Sequence, residues 1–273
     1  MKKTLRYLVP VPLKKILKYV YYTSLDLVDT LTFRRDKNYP PRRLNFVGSA
    51  DFKAVGDEFL NHFFTLGGLK SSDRVLDIGS GIGRMAIPLT GVLKEGSYEG
   101  FDIDKRGIKW CQEHITPKHK NFNFQYVDLY NKFYNRAGKI QPQGFKFPYK
   151  DASFDFIFAT SVFTHLLPAD AAHYLDEIAR VVAPGGTVFL TWFVLDEDTK
   201  KLMKSSDSNA HFEHQYPGTN FCFYSHPNNP EAEIAYTQKW LDEQLGDFDL
   251  HPGNWSGRDG VSYQDIITWT PKK

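Results

Sequence analysis

Cysteine is nearly absent: Cys111 and Cys222 are the only two in 273 residues, and neither stands in a C-x-x-C or metal-ligand spacing. That excludes a disulfide framework and points to a reduced, cytoplasmic setting. No apolar run approaches the roughly 18 uncharged residues that a membrane-spanning helix needs. Pro10, Pro12, Lys14 and Lys15 interrupt the N-terminal apolar residues, so no cleaved signal peptide is expected. Internal repeats and low-complexity tracts are missing, which excludes a repeat architecture. Basic residues do not interleave with aromatics on any one expected strand face, so nucleic acid is not an expected partner. His211, Glu213 and His214 are close in sequence, with His226 beyond, but no helical pattern frames them and no metal site is expected.

What is present suits a soluble globular protein. Hydrophobic residues are 41% and charged residues 24%, over a length that can bury a large core. Aromatics, at 15%, are abundant enough to fill a core and also line an apolar pocket. The net charge of +2 is uneven. Residues 1–45 hold eleven Lys and Arg against Asp26, Asp29 and Asp36, a local +8 that leaves −6 for the remainder. A basic arm on a mildly acidic body suits an anionic partner such as a lipid surface, or docking onto the body itself.

The arm holds the first periodic element. Leu13, Leu17, Val20, Ser24, Leu27 and Leu31 recur at spacings of four and three, with Ile16 and Val28 widening the stripe, which predicts an amphipathic helix. Pro40-Pro41 then forces an extended connector. A second helix is expected over 51–66, with Ser49 as N-cap and Gly67-Gly68 at its end. From Arg74 the pattern alternates. Strands are expected at 74–78, 98–101, 122–127, 154–160, 187–193 and 262–269. Helices are expected from about 84, over 105–114, 168–182 and 231–245, and Pro184-Gly185-Gly186 reads as a turn. Such alternation means a parallel sheet covered on both faces. The stretches 130–150 and 194–230 read as insertions. The expected organisation is a helical extension over 1–69 and one α/β domain over 70–273.

The chemistry concentrates where strands end. Gly79, Gly81 and Gly83 follow the first strand in D-x-G-x-G-x-G, with Asp77 ahead of them and Ser80 between. Glycines let the backbone turn tightly and approach a ligand, and the next helix offers unpaired N–H groups. This is not the G-x-G-x-x-G of dinucleotide sites. A carboxylate at Asp77 suits a ligand with an ammonium group rather than a pyrophosphate. Asp102 ends the second strand, where an acid in such a sheet accepts ribose hydroxyls, while Asp104 is placed to cap the next helix. Asp128 ends the third strand, where it could bond an adenine amino group, or simply cap a loop.

These segments, with Gly100–Asp104, Phe154–Ile157 and Ala179–Gly186, resemble the successive motifs of class I S-adenosylmethionine-dependent methyltransferases over roughly residues 70–193. The resemblance implies a seven-stranded Rossmann-like α/β sheet, strand order 3-2-1-4-5-7-6, with helices on both faces and an antiparallel seventh strand. It also implies S-adenosylmethionine as cofactor. Asp77, Gly79, Ser80, Gly81 and Gly83 would hold its methionine part, Asp102 and Ile103 the ribose, and Asp128 and Leu129 the adenine. The family's site also includes the end of the fourth strand, here Thr160, Ser161 and Val162. Amino-methylating DNA enzymes carry an Asn-Pro-Pro-Tyr-like tetrapeptide there, and this chain does not.

The reaction implied is methyl transfer by in-line displacement to a small-molecule, lipid or glycan acceptor. The alternative is a non-catalytic module of the same fold that docks a partner or a membrane through its N-terminal helix. His165 is the best-placed general base, and its competing role is packing or backbone bonding. Gly253–Arg258 could bind an acceptor or form a hairpin turn. Arg42 and Arg43 could reach a ligand or anchor the connector. For residues 1–32 the alternatives are peripheral membrane contact, or packing on the body or on a second subunit as a homodimer.

Overall fold

The computed structural model describes residues 11–34, 36–45, 51–204 and 208–272, with side chains from residue 20 onward. In chain order the strands are β1 (Arg74–Ile78), β2 (Ser97–Asp102), β3 (Phe122–Tyr126), β4 (Phe154–Ala159), β5 (Val182–Trp192), β6 (Val194–Leu195), β7 (His214–Gln215), β8 (Cys222–Tyr224), β9 (Ile234–Thr237), β10 (Phe248–His251) and β11 (Asp265–Trp269). The helices are α1 (Val11–Leu31), α2 (Phe52–Thr65), α3 (Ala86–Leu89), α4 (Lys105–His114), α5 (Pro168–Val181), α6 (Glu197–Leu202) and α7 (Gln238–Leu245). One sheet runs β3-β2-β1-β4-β5-β11-β10, with β11 antiparallel to both neighbours and the other pairs parallel. This is the expected order, and it places the carboxyl ends of β1 to β5 along one edge.

Alternation along the strands feeds two cores. Val75, Tyr98, Phe156, Phe158 and Phe189 face Phe59 and Phe63 of α2, Leu89 of α3, and Ile108 and Cys111 of α4. Leu76, Ile157, Val188, Leu190 and Ile267 face Ile178 of α5 and Leu241 of α7. Burying a large aliphatic or aromatic side chain contributes about 1.5–3 kcal/mol, so these two layers set the sheet's position between its helices. Asp104 caps α4, accepting from the Arg106 and Gly107 amides.

Several boundaries differ from the sequence reading. Asp51, not Ser49, caps α2, accepting from the Ala54 amide at 2.8 Å; Ser49 lies outside the described residues. Pro184-Gly185-Gly186 is not a turn. β5 starts directly after α5 and carries these residues as an irregularity opposite Phe154–Phe156, with Gly185 at φ +74°. The expected helix over 231–245 divides into a short 3-10 turn, β9 and then α7, because Thr237 caps α7 through the Trp240 amide. β9 joins a second sheet of order β6-β9-β8-β7, which organises the insertion at 194–230. The last strand starts at Asp265, not 262. In 130–150 the second half is core: Phe145 and Phe147 pack on Phe101, and Phe147 on Tyr174.

Candidate functional site

The loop after β1 leaves the sheet edge beneath β2. The Gly79 and Ser80 amides both donate to the Phe101 carbonyl, at 2.9 and 3.1 Å. Its three glycines serve different ends. A Cβ on Gly79 would lie 2.4 Å from Cγ2 of Val162, and one on Gly83 would lie 2.9 Å from Ile115 and 3.0 Å from Cys111. Those two permit close packing. At Gly81, φ is +56° and no atom lies within 4 Å of the Cβ position, so this residue fronts open space. Ser80 turns its side chain inward against Gly100 and Tyr98, where its hydroxyl is buried without a hydrogen-bond partner.

Asp77 lies under this loop and is 1% exposed. Its Oδ2 accepts from the Tyr98 hydroxyl at 2.5 Å, while its Oδ1 is enclosed without a partner. Burial raises its pKa to about 8; the Tyr98 hydrogen bond opposes the rise and the Asp102 charge adds to it. Asp102 accepts the Gly81 amide at 2.7 Å and the Asp104 amide at 2.6 Å, which ties the loop to the end of β2. Burial raises its pKa to about 6 against those two amides. Two carboxylates with raised pKa values thus flank the loop, an arrangement that favours a cationic ligand. Beyond them, Ile103 is half-buried against the sheet core. Asp128 is half-buried and accepts the Tyr126 hydroxyl at 2.8 Å, and Leu129 is buried.

At the end of β4 the chain enters Ser161 with φ +57°, a conformation costly for a non-glycine residue. Polar contacts hold it there. The Ser161 amide donates to Thr191 Oγ1 at 2.7 Å, and the Ser161 and Thr191 hydroxyls both donate to Gln264 Oε1, at 3.1 and 2.7 Å. Val162 then packs over Gly79. His165 follows in a 3-10 turn. Its Nδ1 lies 2.9 Å from the Glu231 carbonyl, which can only accept, so Nδ1 carries the proton. Its Nε2 lies 3.2 Å from the Tyr134 hydroxyl and is the accepting nitrogen. Burial lowers the His165 pKa below its usual value, opposed by the Glu231 and Ala232 carbonyls. The ring stacks on Phe133, centroids 6.1 Å apart. Partial burial of Tyr134, with Asp102 adding, raises its pKa to about 12.

The structure therefore gathers Asp77, Gly79, Ser80, Gly81, Asp102, Ser161 and His165 along the strand ends. Sequence reasoning alone misses Tyr98, Tyr134, Thr191, Gln264 and the Glu231 carbonyl. The only early signal among them is the unusual length of 130–150. Two other candidates are structural. Trp255 is fully buried, and Asp265 accepts from the Val194 and Gly253 amides, Trp255 Nε1 and Arg258 Nη2 at 2.6–2.8 Å. Arg258 also bonds Asp196, so it is neither an exposed turn residue nor open to an acceptor. Arg42 and Arg43 anchor the connector, with both backbone amides and the Arg43 guanidinium on Asp26, and Arg42 on Asp29. Among the described residues no three His, Cys, Asp or Glu side chains group to hold a metal ion.

Residues 76–190 match the family model described as a methyltransferase domain. A Mycobacterium ulcerans phthiotriol/phenolphthiotriol dimycocerosates methyltransferase is 30% identical over 121 residues, 44% of this chain and 38% of that protein. The 27-O-demethylrifamycin SV methyltransferase of Amycolatopsis mediterranei is 28% identical over 129 residues, 46% and 41% of the two chains. The matched stretch thus spans about two fifths of these curated relatives. Among solved structures, the PH0226 protein from Pyrococcus horikoshii OT3 shares the fold at TM-score 0.54 and 14% identity, over 84% of this chain and 95% of that one. The glycopeptide N-methyltransferase MtfA does so at TM-score 0.50 and 13% identity, over 82% and 92%. Residues 76–190 thus match a methyltransferase domain, and the order of the motifs and the 3-2-1-4-5-7-6 sheet are those of the class I S-adenosylmethionine-dependent methyltransferase fold.

Proposed function

We propose that the protein methylates a hydroxyl or amine on a small-molecule or lipid acceptor, with His165 as general base. The residues at the strand ends fit the cofactor. Gly81 fronts open space, and Asp77 carries a buried oxygen without a partner next to the loop. In this reading Asp77 and the loop from Gly79 to Gly83 hold the methionine part. Asp102 and Ile103 take the ribose, and Asp128 and Leu129 the adenine. When bound, the cofactor supplies a methyl group on a positively charged sulfur, already activated for displacement.

The protein's part is then to orient the acceptor and remove its proton. Orientation of this kind can supply up to roughly 7–11 kcal/mol. The observation that carries the base assignment is the fixed tautomer of His165, because the Glu231 carbonyl leaves Nε2 unprotonated. Its lowered pKa keeps the ring neutral at physiological pH. Tyr134 bonds Nε2 and is 40% exposed, so its hydroxyl can guide an acceptor proton onto that nitrogen. The relatives are named for phthiotriol/phenolphthiotriol dimycocerosates and for 27-O-demethylrifamycin SV, which supports a lipid or small-molecule acceptor.

The test uses a methyl-labelled cofactor, a lipid and small-molecule extract, and mass spectrometry to find the product. With that product as readout, His165→Ala should lower turnover by roughly 10²–10⁴ while cofactor affinity stays near wild type. Unchanged turnover with weakened cofactor binding would assign His165 to packing instead.

A further inference from the structure

Helix α1 is turned inside out. Its acidic face meets the protein: Asp26 is 4% exposed and holds the Arg42 and Arg43 amides and the Arg43 guanidinium. Asp29, one turn on, pairs with Arg42 at 2.9 Å. The described part of the apolar stripe, from residue 20 onward, faces away. Val20, Leu27, Val28 and Leu31 are 52–70% exposed, and Phe33 beyond the helix is 96% exposed. From residue 20 onward the stripe therefore does not pack on the body, although its period is that of a buried helix face. Single exposed apolar side chains are ordinary, but a row of them on one helix marks an interaction surface.

Charge says what covers it. Residues 1–25 hold Lys2, Lys3, Arg6, Lys14, Lys15 and Lys18 and no Asp or Glu. The next two acids, Asp26 and Asp29, are engaged by Arg42 and Arg43. A second copy of this helix would bring the same positive charges to the contact without free acids to meet them. An anionic bilayer complements both features at once, taking the apolar row into its interface and the ammonium groups among its headgroups.

We propose that α1 is a peripheral membrane-docking helix for anionic lipid. The helix lies on the surface and does not cross it: no described helix is long and apolar enough to span a membrane. This docking does not depend on which acceptor is methylated. Each Lys or Arg held near an anionic surface strengthens adsorption about fivefold, a gain that salt screens.

The experiment is flotation of the full chain with vesicles of phosphatidylcholine alone or with about 30 mol% phosphatidylglycerol. The chain should float with the anionic vesicles only, and at least about tenfold less as salt rises from about 0.05 to about 0.5 M. Lys14→Glu/Lys15→Glu/Lys18→Glu should lower partitioning at least about a hundredfold. Leu27→Glu/Leu31→Glu should abolish it with an unchanged melting temperature, since both positions are exposed. Equal recovery with neutral and anionic vesicles would overturn the proposal. So would flotation of the Leu27→Glu/Leu31→Glu variant like wild type. Sedimentation equilibrium showing a dimer that this variant dissolves would also overturn it, by assigning the stripe to a second copy.

Discussion

The loop glycines permit a test in which stability and ligand binding separate. At Gly81 a valine must adopt φ near +56°, which costs about 1–2 kcal/mol for an L-residue and somewhat more for a β-branched one. No atom lies within 4 Å of its Cβ position, so no packing cost is added. At about 2–4 °C per kcal/mol for a protein of this size, Gly81→Val should lower the melting temperature by roughly 2–8 °C and leave the protein folded. The new side chain fills the open space before the loop, so S-adenosylmethionine affinity should fall at least about a hundredfold, or about 2.7 kcal/mol. Gly83→Ala should do the reverse. Its Cβ would press on Ile115 and Cys111 at 2.9 and 3.0 Å, adding about 1–3 kcal/mol of overpacking to the same backbone cost, while the folded fraction still binds the cofactor. Differential scanning fluorimetry and titration calorimetry on both variants read the two effects. Wild-type affinity in Gly81→Val would refute the assignment of the loop as the binding surface.

Asp77 and Asp102, at about 8 and about 6, both sit above the ordinary carboxylate value. The folded apo protein therefore holds more protons than the unfolded chain between about pH 4 and 8, and its stability should fall as pH rises through that window. Cofactor binding favours the ionised forms, so the affinity ratio of the sulfonium cofactor to its uncharged-sulfur product should rise over the same range. Asp102→Asn should remove the lower step, and a flat ratio in calorimetry would contradict the electrostatic reading. Asp265→Ala takes from the Arg258 guanidinium, 18% exposed, one of its two carboxylate partners, and leaves Trp255 Nε1 and two amides without their acceptor. It should cost about 3–5 kcal/mol in denaturant unfolding, and a loss under about 1 kcal/mol would show that the carboxylate is dispensable.

The local sequence determined the parts of this protein whose physics is short-range. A buried parallel strand that ends in glycines declares itself because the strand must be apolar on both faces and the turn requires left-handed backbone. So β1 and the loop at Gly79–Gly83 were legible, as were β4 from its apolar run and Asp104 as a cap. The motif order then implied the order of strands. Tertiary contact decided the rest. Pro184-Gly185-Gly186 joined β5 because β4 pairs alongside it, and Ile234–Thr237 became a strand because β6 and β8 flank it. Asp77 has a site-type sequence position, but only Tyr98, from the neighbouring strand, reveals it as enclosed and half-satisfied. His165 becomes a defined base only through Glu231 and Tyr134, residues 66 and 31 positions away. The stripe on α1 was legible as a stripe. Which way it faced was not, because periodicity fixes which residues share a face, whereas Arg42 and Arg43 on Asp26 and Asp29 fix which face turns inward.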